Sequence, residues 1–171
     1  KQICYGGVNM TKGGRLRFIR TFRNMTQKEL GIKLGFDEKN ADIRISQYES
    51  DYRVPKDDMV RKMSEILNVN YNALKDYNFD NPTDILESFL WFDTEFPLEL
   101  GLFEFKPNKD LDGKAIIEYP ATDNQFNPIA ITFALNEYRQ PIKEWKDKKR
   151  AYTSGEISKE DYIEWKLQWH I

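Results

Sequence analysis

The sequence has little of the chemistry from which most active sites are built. One cysteine, Cys4, and one histidine, His170, occur in 171 residues. A single thiol excludes an intrachain disulfide, which fits the reducing cytoplasm as the expected compartment. One thiol and one imidazole are too few for a nitrogen and sulfur metal centre. No apolar run approaches the roughly 20 residues of a bilayer span, so no membrane association is expected. The opening residues lack the apolar core of a secretory signal. There is no nucleophile elbow, no phosphate-cradling glycine loop and no His/Cys cluster. Carboxylates such as Glu156 and Asp161 are common enough to pair by chance, and their spacing carries no sign of acid–base work. An enzyme is therefore not expected, and neither a metal nor a cofactor is implied.

What is present suffices for a folded core: 40% of residues are hydrophobic and 14% aromatic. The length allows one or two small domains. The net charge is only -2, but it is unevenly distributed. Residues 11–75 carry 14 Lys+Arg against 9 Asp+Glu, and residues 76–171 carry 11 against 19. A basic segment beside an acidic one is expected when only the first touches nucleic acid. Mixed charge on solvated helices accounts for the same counts equally well.

The most informative stretch is Thr26 to Pro55. Thr26 can cap a helix, and Glu29, three residues on, completes a capping box. Leu30 and Leu34 follow at i, i+4 and can face a core. Gly31 is small where a neighbouring helix must come close, and Gly35 stands where a helix stop is expected. A polar run, Asp37-Glu38-Lys39-Asn40, precedes a second short helix anchored by Ile45 and Tyr48. With those two inward, Arg44 and Gln47 are the best outward pair. Arginine can bind guanine, and glutamine adenine, with two prongs in the major groove.

The rest of the chain falls into segments. Lys1 to Met10 reads as a flexible lead-in. Thr11 to Asn24 is a helix with Leu16, Ile19 and Phe22 as its apolar stripe. Its four arginines, Arg15, Arg17, Arg20 and Arg23, suggest phosphate contact. Lys56 to Leu67 is a helix with Met59, Val60, Met63, Ile66 and Leu67 at core spacing, and Asn70 can cap a helix over Tyr71 to Tyr77. Asn78 to Pro82 is a polar boundary containing an Asn-Pro step. Beyond it lie all four tryptophans, Trp91, Trp145, Trp165 and Trp169. Thr83 to Phe92 reads as a helix. Leu100 to Lys106 alternates as a strand, Asp112-Gly113 signals a turn, and Lys114 to Tyr119 reads as a second strand. Asn127-Pro128 opens a long helix that Pro141 should kink. Ser154-Gly155 ends it, and Ser158 caps a last aromatic helix.

Gln27, Leu30, Gly31, Leu34, Gly35, Ile45, Ser46, Tyr48, Glu49 and Arg53-Val54-Pro55 together resemble the helix-turn-helix of the phage-repressor (Xre) family. The turn from Phe36 to Arg44 is about four residues longer than the family's common form. The resemblance is strong over residues 13–75. It implies that base reading falls on Asp42, Ile43, Arg44 and Gln47, with Asp42 able to accept from cytosine. It places Gln27 at a backbone-contacting position. Lys39, Asn40, Ser46, Tyr52, Arg53 and Lys56 are further phosphate candidates. It also implies a structural ion pair between Arg20 and Glu49, bracing the first helix against the recognition helix.

The expected fold is mainly α. A five-helix repressor-like domain at 11–77 and a linker at 78–83 are followed by a small α+β domain at 84–171. That last domain is expected to hold a β-hairpin and aromatic-rich helices, for dimerisation or sensing. The leading expectation of function is a dimeric repressor binding double-stranded DNA, in a bacterial cytoplasm. Two other readings stand beside it: an antitoxin-like regulator whose acidic C-terminal part binds a partner protein, and a regulator sensing a small-molecule ligand.

Overall fold

A computed structural model of the chain describes residues 11–96, 100, 102, 108–109, 115–116 and 138–169. The helices are α1 (Lys12–Phe22), α2 (Gln27–Lys33), α3 (Ala41–Glu49), α4 (Asp57–Leu67), α5 (Pro82–Glu95), α6 (Arg139–Thr153) and α7 (Lys159–Gln168). A 3-10 turn, Tyr71–Ala73, follows α4. Local chemistry sets most of these bounds. Thr26 and Glu29 form the expected reciprocal capping box on α2, and Ser158 and Asp161 form another on α7. Asn68 ends α4 in the left-handed conformation, and Asn81 caps α5 with Pro82 at its start. Pro141 lies in the first turn of α6, where its missing N–H is not needed, so it does not kink that helix.

The chain forms two compact units, Lys1–Leu100 with Ser158–Ile171, and Gly101–Ile157. In the first, Leu16 and Ile19 of α1, Leu30 of α2, Ile45 of α3 and Val60, Met63 and Leu67 of α4 share one core with Trp91 of α5 and Ile163 and Leu167 of α7. Phe18, absent from the stripe read in the sequence, is buried with its ring edge-on to Trp91, 5.6 Å between centroids. The backbone N–H of Asn70 donates to the carbonyl of Leu167 at 2.8 Å. The compact unit thus runs past the polar stretch 78–83 drawn as a linker. Lys75 pairs with Asp84 at 2.6 Å, and the Asn78 N–H donates to the same carboxylate at 2.9 Å.

The fold expectation needs two corrections. The fifth helix of the repressor-like domain is only a 3-10 turn, with Asn70 capping Asn72 at 2.8 Å. The core it leaves open is closed by α5 and α7. The small α+β domain with its β-hairpin is also overturned, because the described fold is helical. Leu100 and Leu102 lie in no strand. Pairing among the described residues is limited to Asn108–Ile116 and Lys109–Ala115, which we label β1 (Asn108–Lys109) and β2 (Ala115–Ile116). Two residue pairs cannot hold a domain together. The apolar residues allotted to that domain at Trp91, Ile163 and Leu167 instead complete a helical core. The lead-in at 1–10 and the helix start read at 127–137 lie outside the described residues. In the second unit Trp145 of α6 and the preceding Tyr138 are buried.

Charges are used inside the first unit as well as on its surface. Asp93 is fully buried, accepting from the Tyr162 hydroxyl at 2.8 Å and from Lys166 Nζ at 3.1 Å. Glu87 is 2% exposed, and its Oε1 has no hydrogen-bond partner among the described residues. Burial pushes its carboxyl up to about 8, against the pull of Lys75 and Arg15. Among the described residues no helix is long and apolar enough to cross a membrane, and none group as a metal site.

Candidate nucleic-acid interface

The expected recognition helix α3 is held at its start, middle and end. At its start, Gly31 lets α2 approach so closely that a Cβ there would lie 2.5 Å from the carbonyl oxygen of Ala41. In its middle Ile45 is fully buried. At its end, Gly13 of α1 meets the carbonyls of Tyr48 and Glu49, at 2.4 and 2.7 Å from where its Cβ would be. The Gly13 N–H donates to Asp51 Oδ1 at 2.8 Å, so the residue just past α3 helps cap α1. Asp51 adopts φ +58°, a conformation aspartate tolerates better than most residues.

An ion pair ties the same end down. Arg20 Nε donates to Glu49 Oε1 at 2.5 Å and Nη2 to Oε2 at 3.1 Å. Gln27 Nε2 adds a third donor to Oε2 at 2.8 Å, so α1, α2 and α3 meet on one buried carboxylate. The pair expected between Arg20 and Glu49 is present. Gln27, read as a phosphate contact, therefore has part of its amide engaged within the protein.

The turn before α3, expected from Phe36 to Arg44, ends at Asn40, since Ala41 to Arg44 already belong to the helix, and it too is braced. The ring of Phe36 packs on Tyr48, 6.4 Å between centroids, and Glu38 turns back to Lys28 at 2.7 Å. Hydrogen bonding to Glu38 raises the Lys28 ammonium pKa, and Asp42 adds to the effect. Asp37 Oδ1 accepts from the N–H of Lys39 at 2.9 Å. Of the two inserted carboxylates, Glu38 is matched by Lys28, and Asp37 is held by a backbone N–H.

On the outward face, Asp42, Ile43 and Ser46 are exposed, while Arg44 and Gln47 are half-buried. The Gln47 side-chain oxygen is enclosed without a hydrogen-bond partner among the described residues, so reading a base through it requires a rotamer change. Around the helix, Lys39, Asn40, Tyr52, Arg53 and Lys56 are exposed. The side chains of Lys39, Arg44, Arg53 and Lys56 form no ion pair among the described residues, nor do those of Arg17, Lys33 and Lys62. The other expected phosphate surface, α1, behaves differently. Arg15 is buried, donating to the carbonyl of Lys75 at 2.6 Å with its guanidinium 4.2 Å over Tyr77. Arg20 braces α3. Arg23 caps the end of α4 at the carbonyls of Leu67 and Asn68 and pairs with Glu164, its Nη2 to Oε1 at 2.9 Å. Only Arg17 of the four is exposed.

Sequence reasoning missed Gly13 and Asp51. A visible signal existed: Gly13-Gly14 inside a helix costs about 1 kcal/mol per residue unless close packing requires it.

Residues 13–78 match the model of a helix-turn-helix domain. The chain is 36% identical over 80 residues to the HTH-type transcriptional regulator ImmR of Bacillus subtilis (strain 168). That alignment covers 45% of this chain, and the chain spans 60% of the relative's length. No solved structure matches. Together with the caps, close glycine contacts and ion pair around α3, these matches identify residues 13–78 as a helix-turn-helix domain.

Proposed function

We propose that this chain is a sequence-specific DNA-binding transcriptional regulator, a bacterial repressor acting as a dimer. In this reading α3 enters the major groove, with two such helices about one turn of DNA apart. Asp42, Ile43, Arg44 and Gln47 meet base edges. Lys39, Asn40, Ser46, Tyr52, Arg53 and Lys56 meet the phosphate backbone, with Gln27 beside them.

One observation carries the reading. Lys39, Arg44, Arg53 and Lys56, on α3 and the segments flanking it, form no ion pair among the described residues, whereas Arg20 and Arg23 are matched inside the domain. Cations left unmatched beside the exposed side of a helix suit a polyanion, because each phosphate neutralised releases a counterion. The similarity to a transcriptional regulator supports the same reading.

The test is a binding titration with purified full chain and a duplex recovered by selection from random DNA. Arg44→Ala combined with Gln47→Ala is expected to abolish preference for that duplex over a scrambled one while the thermal unfolding midpoint is kept. Retained preference in the double variant would move base reading away from α3.

A further inference from the structure

The burial pattern of α3 shifts the centre of its proposed reading face. At about 100° per residue, the inward side chains Ala41, Ile45, Tyr48 and Glu49 define one side of the helix. The residue opposite their midpoint, roughly 175° away, is Ile43. Arg44 and Asp42 lie on the flanks, roughly 100° to either side of Ile43, and Gln47 and Ser46 lie nearer. Ile43 is 51% exposed, and it is the one apolar side chain among the outward residues of α3.

In the docking proposed above, a side chain at that position faces the groove floor. Isoleucine there neither donates nor accepts a hydrogen bond, so it cannot read guanine, cytosine or adenine through their polar edges. The one apolar group that base pairs present in the major groove is the 5-methyl of thymine. A β-branched side chain on a helix is also stiff at χ1, which holds its methyl groups in a defined place. The flanking polar residues are then left to read the neighbouring pairs.

From this placement we propose that Ile43 is a specificity-determining residue that reads a thymine, by packing its side chain against the 5-methyl group. The inference rests on the DNA-binding function proposed above and adds the identity of one base. Uracil pairs with adenine as thymine does and lacks only that methyl, so it isolates the contact. Each thymine of the selected duplex is replaced by uracil in turn, and the affinities of the wild-type chain and of Ile43→Ala are compared. Alanine at this exposed helical position is a better helix former, so the variant is expected to fold, with circular dichroism as the control.

Replacement at one thymine per half-site is expected to weaken the wild-type chain about fourfold, the effect of one buried methyl. Ile43→Ala is expected to bind the thymine and uracil duplexes about equally at that position. The proposal is overturned if no single replacement weakens wild-type binding, or if Ile43→Ala keeps the full discrimination. In both cases the preference for the selected duplex over scrambled DNA persists, which leaves the broader reading standing. Absence of any preferred duplex overturns both.

Discussion

The rim of α3 and the seam where α5 and α7 close the core carry similar kinds of residues in opposite states. At the seam, two carboxylates are buried and matched: Asp93 sits with Tyr162 and Lys166, and Asp84 with Lys75. At the rim, Lys39, Arg44, Arg53 and Lys56 have no carboxylate partner among the described residues, and Ile43, Tyr52 and Val54 are exposed. A charge that is matched and buried serves the fold. One left unmatched at a surface adds little to stability and remains available to a ligand. Substitutions at the two places should therefore fail in different ways.

The largest effect is expected at the seam. Lys166→Met removes the ammonium that pairs with the fully buried Asp93 carboxylate at 3.1 Å, and stability measured by urea unfolding should fall by about 3–5 kcal/mol. Next, Gly31→Val places side-chain atoms against the backbone of Ala41, and overpacking of that kind costs about 1–3 kcal/mol. Because the same contact sets the start of α3, DNA affinity should fall by more than the loss of folded protein explains. A change equal to that loss would show that Gly31 serves packing alone.

A third effect depends on pH. The Glu87 carboxyl is raised to about 8 in the folded chain, above its ordinary value of 4.5. The native state then holds a proton that the unfolded chain releases, so the contribution of Glu87 to stability is fullest below pH 4.5 and is lost as pH rises through 8. Glu87→Gln should flatten that decline by about 2–4 kcal/mol across the interval, read from unfolding midpoints at several pH values. The smallest effect on stability is expected at the rim. Arg53→Ala and Lys56→Ala should each change it by less than about 0.5 kcal/mol. Each should lower the slope of log affinity against log salt by about one.

The local signals were legible where a side chain acts on its own neighbourhood. Thr26 with Glu29, Ser158 with its helix, and Ile45 as an inward anchor are all readable from spacing. The pairing of Arg20 with Glu49 followed from the family resemblance, since nothing local links positions 29 residues apart. What the sequence hid is long-range. α5 was readable as a helix, but its partners, Phe18 and the buried Arg15, lie about 70 residues earlier in the chain. The return of α7 to Arg23 spans 141 residues. The arginines of α1 looked like a phosphate surface because a one-helix view cannot tell that Arg23 meets the carbonyls ending α4. The alternation at Leu100 to Lys106 suggested a strand, yet Leu100 and Leu102 lie in none.

The most direct test of the account maps where DNA touches the chain. Backbone amide shifts of the 171-residue chain are followed by NMR as the selected duplex is added. Perturbations are expected to concentrate between residues 39 and 56, with α5 and α7 little changed. Perturbations centred on α5 and α7, with α3 unmoved, would contradict it.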